Sequence, residues 1–384
     1  SISLAIANTA FCLALFKQLD EDKKSSNVFY SPLSISSALA MVMLGARANT
    51  ATQILHRSPV PALTLICFDC PQCLKAQDDV HVKFSKLIKE LNKAGAPYSL
   101  SLANRLYGDQ SYQFVEVCMS KHYDAKLKSV DFKASAETAR ININNWVEKQ
   151  TQDKIKDLLA PGVVDSMTRL VLVNAIYFKG NWDRKFDADL TKDNENKPVK
   201  MMLFLHHSTF SVTVKTHCVG QILELPYKGK DLSMLIFLPY EMEDDTTGLE
   251  KLEKELTYEK FVEWTQPHKM YTVEVDVGLP RFKMEESYNL KDILTRMGMV
   301  DAFDVRMSDF SGMSPANDLV LSQVVHKAFV EVNEEGTKAA AATTSDIMLC
   351  CGIPTFIADH PFLFFIRHKP SMSVLFAGRF CSPA

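Results

Sequence analysis

No stretch of this 384-residue sequence is apolar for long enough to cross a bilayer, and no basic leader precedes an apolar run within residues 1–20. The expectation is a chain that works outside the membrane and has no secretory signal. Asn-x-Ser/Thr is missing throughout. The nine cysteines are an odd number, and Cys12, Cys118, Cys218 and Cys381 are scattered rather than regularly spaced. Both facts argue against a complete disulfide framework and for a reducing, cytoplasmic compartment. A net charge of only −3 leaves no basic footprint for nucleic acid or for an anionic membrane surface. Gly-x-Ser-x-Gly, His-Glu-x-x-His and a Gly-rich phosphate loop are all absent, so neither an enzyme nor a cofactor is expected.

What is present is an ordinary globular composition, 47% hydrophobic and 23% charged, enough for a large core. Leu4, Phe11, Cys12, Leu15 and Leu19 recur at helical spacing, which predicts an amphipathic first helix. Ser31-Pro32 is a helix start signal, and Ile35, Ala38, Leu39, Val42 and Met43 carry a second helix to near Gly45. Small residues on its other face, Ser36, Ser37 and Ala40, predict burial all round. Residues 56–79 break the pattern with prolines and cysteines and read as a surface loop. Helical periodicity resumes at Val80, Phe84, Leu87, Ile88 and Leu91. The apolar, β-branched run 168–182 predicts a strand buried on both faces of a large sheet. Tyr271, Val273, Val275, Val277 and Leu279 read as one face of a single strand, and Gly229 centres a hairpin between Leu223 and Leu238. Helices and strands follow one another without a βαβ rhythm, a repeat or a linker, so the fold class is α+β in one large domain.

Three clusters carry less chemistry than their residue types suggest. Cys67, Cys70 and Cys73 have zinc-like spacing but no fourth ligand, and no metal is expected there. Lys83, Lys86, Lys89 and Lys93 lie largely opposite the apolar stripe of their helix; a solvated face is the simpler reading, a weak glycosaminoglycan contact the other. The terminal Cys381-Ser382-Pro383-Ala384 lacks the aliphatic middle pair of a prenylation box, so no lipid anchor is expected.

The most unusual segment is 333–355, NEEGTKAAAATTSDIMLCCGIPT. Its alanines would favour a helix, but Thr343, Thr344, Ser345 and Asp346 have no amphipathic pattern. As a strand, one face would carry Thr337, Ala339, Ala341, Thr343, Ser345, Ile347 and Leu349, all small or apolar, with Lys338 and Asp346 on the other. The segment could therefore enter a sheet without burying a charge.

These residues resemble the serpin family, over nearly the whole chain. The most specific run is Phe356-Ile357-Ala358-Asp359-His360-Pro361-Phe362-Leu363-Phe364-Phe365-Ile366. Asn27-Val28-Phe29-Tyr30-Ser31-Pro32-Leu33-Ser34-Ile35 and Val173-Asn174-Ala175-Ile176-Tyr177-Phe178-Lys179-Gly180-Asn181-Trp182 add to it. The wording of these motifs looks most like the intracellular, ovalbumin-like branch. The resemblance implies a single serpin domain over 1–384, with about nine helices around three β-sheets. It also implies an exposed reactive-centre loop at about 334–355, which a protease cleaves as substrate before the loop inserts into the main sheet and traps the acyl-enzyme. The implied partners are serine proteases of the chymotrypsin fold, bound covalently by a monomeric inhibitor that itself has no catalytic residues. A non-inhibitory binding protein of the same fold, or an inhibitor of papain-like cysteine proteases, are the alternatives.

Residue by residue, the resemblance places the loop hinge at Glu334, Gly336, Thr337, Ala339, Ala340, Ala341 and Ala342. Fourteen residues beyond Gly336 the count arrives at Cys350, so the expected reactive bond is Cys350-Cys351. Counting back from Pro354 lands nearer Met348, and Met348 and Leu349 stay open. Uncharged residues of medium size there imply elastase-like or chymotrypsin-like targets. Ser31, Ser34, Asn174 and His326 match the family's shutter beneath the strands that must part. Trp182 and Arg281 match the segment beside the base of the loop, where an Arg281–Glu334 ion pair is expected. Lys338 departs from the family pattern, which usually has an acidic residue there.

Overall fold

The computed structural model describes residues 2–22, 25–57, 73–115, 123, 127–193, 200–204, 209–214, 219–240, 248–316, 318–335 and 354–382. In chain order the elements begin with α1 (Ile2–Asp22), β1 (Val28–Tyr30), α2 (Pro32–Met43), α3 (Ala48–Arg57) and α4 (Cys73–Leu91). Next come β2 (Tyr98–Asp109), β3 (Lys128–Val130), α5 (Phe132–Gln150), β4 (Leu170–Gly180), β5 (Asp187–Asp193), β6 (Lys200–Phe204) and β7 (Thr209–Val214). The chain continues through β8 (Gly220–Pro226), β9 (Leu232–Pro239), α6 (Leu249–Glu255), α7 (Tyr258–Trp264), β10 (Tyr271–Glu274) and β11 (Asp276–Asn289). It ends with α8 (Lys291–Arg296), β12 (Leu321–Val332), β13 (Thr355–Ile357), β14 (Phe362–His368) and β15 (Ser373–Phe380). Among the described residues there are thus eight α-helices, where about nine were expected.

By internal contacts the chain divides into two compact units. The first comprises Ser1–Leu19, Tyr30–Phe178 and Glu285–Phe329; the second Asp20–Phe29, Lys179–Met284 and Val330–Ala384. In the first, the strand order is β3-β2-β4-β12. Asn174 and His326 therefore sit on neighbouring strands. β4 is buried along its whole length apart from a half-buried Lys179, as an apolar β-branched run requires. α5 packs Ile143 and Val147 into a cluster with Val171, Val173 and Val325 from β4 and β12. α2 starts where the sequence signals it: Ser34 N–H donates to the Ser31 side chain at 3.1 Å and Pro32 takes the first turn. Every α2 residue is buried, which its small-residue face permits.

In the second unit seven strands run in the order β1-β15-β14-β9-β8-β7-β10, and β11 pairs with β6 and β13. Phe29 stacks on Phe364 and Phe376, with centroids 5.8 and 5.4 Å apart. Gly378 leaves the space: a Cβ there would lie 2.5 Å from the Phe364 ring. The β8–β9 hairpin turns at Gly229 (φ 85°) and Lys230 (φ 62°), left-handed conformations that favour glycine.

Several local expectations change. α3 runs to Arg57 and α4 begins at Cys73, so only 58–72 of the expected surface loop remains, outside the described residues. Helix-tolerant residues after Pro71 carry α4 back past the first clear apolar repeat. The 271–279 run is two strands rather than one. β10 pairs with β7 and β11 with β6, while Tyr271 is exposed and Leu279 is fully buried. The change of pairing partner at Val275 leaves the period of two intact, so alternation could not reveal it. Among the described residues the strands form two hydrogen-bonded ladders, of seven and eight strands, where three sheets were expected. The 14-residue β11 accounts for this. Its beginning pairs with β6 and β13, and just beyond its end Leu290 N–H donates to Val324 O of β12.

Candidate functional site

Two polar constellations stand out against the apolar strands. In the first unit, α2, β4 and β12 bring together Ser31, Ser34, Asn174 and His326, all buried, with His326 and Ser31 fully so. Ser31 N–H donates to His326 Nε2 at 3.1 Å. That nitrogen must be an acceptor, so the ring proton sits on Nδ1 and is donated to Asn174 Oδ1 at 2.6 Å. Ser34 Oγ donates to the same Oδ1 at 2.9 Å, and Asn174 Nδ2 donates to Ser34 O at 3.4 Å. Burial pushes the His326 pKa down to about 3, so the ring is neutral at physiological pH. β4 and β12 cannot part without breaking the 2.6 Å bond between them.

The second constellation, in the other unit, grips residues 333–335, the last described residues before 336–353. Trp182 N–H donates to Glu335 O at 2.9 Å, and Phe186 N–H to Glu334 O at 3.1 Å. Trp182 Nε1 donates to Asn333 O at 2.8 Å, while its ring stacks on Tyr227 at 4.5 Å. Glu334 Oε1 accepts from Thr191 Oγ1 at 2.9 Å and lies 3.6 Å from Arg281 Nη1. Lys179 Nζ lies 2.9 Å from Glu335 Oε2 and 3.8 Å from Glu331 Oε2. A hydrogen bond from Lys179 holds the Glu335 carboxyl below its usual range. At the far end of the segment, Asp276 N–H donates to Pro354 O at 2.9 Å, and β13 runs parallel to β11.

Sequence reading named Trp182, Arg281 and Glu334 here but missed Lys179, Thr191, Tyr227 and Asn333. Lys179 alone left a signal, as the one charge in an apolar strand. The hinge residues Gly336, Thr337 and Ala339 to Ala342, and Cys350 and Cys351, lie outside the described residues, as do Met348, Leu349, Cys67 and Cys70. Among the residues whose side chains are described, no group of three His, Cys, Asp or Glu is placed to hold a metal.

A buried, neutral polar cluster thus joins the adjacent strands β4 and β12 in the first unit, and a separate set of hydrogen bonds and ion pairs holds 333–335 in the second. Residues 6–383 match the family model described as Serpin (serine protease inhibitor). The chain belongs to the serpin family. It is 50% identical to leukocyte elastase inhibitor of Equus caballus over 392 residues, 99% of each chain. It is 49% identical to serpin B6 of Pongo abelii over 393 residues, again 99% of each. Among solved structures, uncleaved ovalbumin is similar at 38% identity and a TM-score of 0.88, covering 99% of this chain and 100% of that one. Maspin is similar at 34% identity and a TM-score of 0.87, covering 100% and 99%. The run 356–366 that carried the resemblance is structural. Phe356 and 362–366 are buried, and His360 Nε2 lies 2.6 Å from Pro239 O.

Proposed function

We propose that this serpin traps serine proteases of the chymotrypsin fold as a suicide substrate, with elastase-like or chymotrypsin-like enzymes as its targets. The observation that carries this reading is the latch between β4 and β12. His326 and Asn174 join two adjacent strands through a hydrogen bond that an entering strand would replace, and β12 leads directly into the tethered segment 333–335. The protease serine attacks the carbonyl of Cys350, and the peptide nitrogen of Cys351 leaves with a proton as a free amine. The acyl bond to the protease remains. The released strand then moves between β4 and β12, with Thr337, Ala339, Ala341, Thr343, Ser345, Ile347 and Leu349 turned inward, and carries the protease with it. Small and apolar inward residues let this happen without stranding a buried charge. The relatives named leukocyte elastase inhibitor support the target class. A monomeric, cytoplasmic protein fits this role. Lys86 and Lys89, exposed on α4 while Phe84, Leu87 and Leu91 are buried, and Lys93 just beyond its end, offer at most a weak contact for a glycosaminoglycan.

Incubation with neutrophil-type elastase or chymotrypsin is expected to give a complex that survives SDS, with the new N-terminus at Cys351. If elastase-, chymotrypsin- and trypsin-like enzymes all yield only cleaved inhibitor, the trapping reading fails. A large rise in melting temperature after loop cleavage separates a trap from a non-inhibitory serpin, which should change little.

A further inference from the structure

α5 is two pieces. Ser135 has φ −141° and ψ 43°, outside the helical range, so a short turn at 132–134 precedes the longer helix. The turn is held from below: Asp109 Oδ2 accepts from Phe132 N–H at 3.0 Å and Lys133 N–H at 3.2 Å, and Asp131 Oδ1 accepts from Ala134 N–H at 2.9 Å. Beside this kink, β2, β3 and α5 line an open cavity of about 410 Å³ within the first unit. That volume falls in the range of small-molecule sites.

The lining is chemically uneven. Tyr107, Ala139 and Ile143 form a buried apolar wall, and Trp146 stands beside them, half-buried. The Arg105 guanidinium lies 3.9 Å from the Trp146 ring centroid and 5.8 Å from that of Tyr107. A stacked guanidinium keeps its N–H edge available for a planar acceptor. Among the described residues the single hydrogen bond from Arg105 goes to Tyr107 Oη at 3.4 Å, which leaves four of its five donors to other acceptors. Among the described residues no carboxylate pairs with Arg105 or with Lys128, the second cation in the lining. The one acidic residue of the lining, Asp131, turns an oxygen to the α5 turn. A half-buried arginine held over an aromatic ring, with most of its donors open to other acceptors beside an apolar wall, is organised for an anion that brings its own apolar body.

We propose that this cavity binds a small amphipathic anion, a carboxylate or sulfonate on a flat apolar body. The anion meets Arg105 and Lys128, and the body lies along Trp146, Tyr107 and Ile143. The binding does not depend on the protease reading, since every lining residue lies in β2, β3, α5 or the residue between them.

The test is calorimetric titration of the intact protein with 2-naphthoate and with its neutral counterpart, 2-naphthylmethanol. The expected result is one site per chain, with the carboxylate bound at least about tenfold more tightly than the alcohol. Arg105→Met keeps the stem over Trp146 and removes the charge. It should abolish that preference while leaving the melting temperature unchanged. Thr138→Trp, at an exposed position on the rim, should fill the cavity and block both compounds, and it decides the matter if Arg105→Met does not fold. No saturable heat with millimolar naphthoate, equal binding of acid and alcohol by the native protein, or full naphthoate binding by a folded Thr138→Trp variant would each overturn the proposal.

Discussion

Acidification should loosen the sheet through His326, and the size of the effect follows from its surroundings. The imidazole is fully buried, and burial lowers its pKa from 6.5 to about 3. Its Nε2 accepts from Ser31 N–H, so a proton placed there would set two N–H groups against each other. The unfolded chain binds this proton near pH 6.5 and the folded chain only near pH 3. The stabilisation from the neutral ring is therefore complete above about pH 6.5, is lost as pH falls through the window between the two values, and is gone below the lower one. The loss is about 2 kcal/mol near pH 5 and about 3 kcal/mol near pH 4. For a chain of this length, about 2 kcal/mol corresponds to roughly 2–3 °C in melting temperature. Carboxylates also titrate in this range, so the measurement is a difference. Melting temperatures of the native protein and of His326→Gln are compared at intervals from about pH 4 to pH 8. The native curve should fall away from the variant's below about pH 6.5, and its polymerisation on gentle warming should rise in the same window. Parallel curves across the whole range would refute the argument that the ring must stay neutral.

Glu334→Lys removes the contact with Arg281 and the hydrogen bond from Thr191, and it sets two cations together. Arg281 is half exposed, so the loss is roughly 1–2 kcal/mol, read as faster polymerisation or latency on native gels; Lys338→Glu should match the native protein. Thr337→Arg places a charge on the inward parity of the entering strand, at a cost of several kcal/mol. Titration against elastase should then show many inhibitor molecules cleaved per enzyme trapped, and an unchanged stoichiometry would argue against insertion from this hinge.

The local devices were legible because they follow from short-range chemistry. Ser31-Pro32 starts α2 through its own hydroxyl and a fixed φ, and the small residues of α2 announce its burial before any neighbour is known. The apolar run of β4 could only be a strand covered on both faces. The parity of 337–349 follows from the chain alone, since alternate residues of any strand point opposite ways. Of the site, the motifs supplied the residue types and one pair of partners, Arg281 and Glu334, but not the hydrogen bonds that join the rest.

Tertiary structure decided everything that depends on who lies opposite whom. His326 and Asn174 are 152 positions apart, and only the pairing of β4 with β12 makes them one latch. Trp182 shows in the sequence as an aromatic residue, but the fold sets its ring on Tyr227 and its indole N–H on Asn333 O. The run 271–279 kept its alternation while its pairing changed from β7 to β6, and the cavity beside α5 is lined by Arg105 of β2 together with Ser135 and Trp146 of α5, which only the fold brings together. Periodicity and capping are set within a few residues, so the sequence carries them directly. A partner's identity, a buried group's pKa and a void's shape are set by atoms distant in the chain, and only the folded arrangement brings those together.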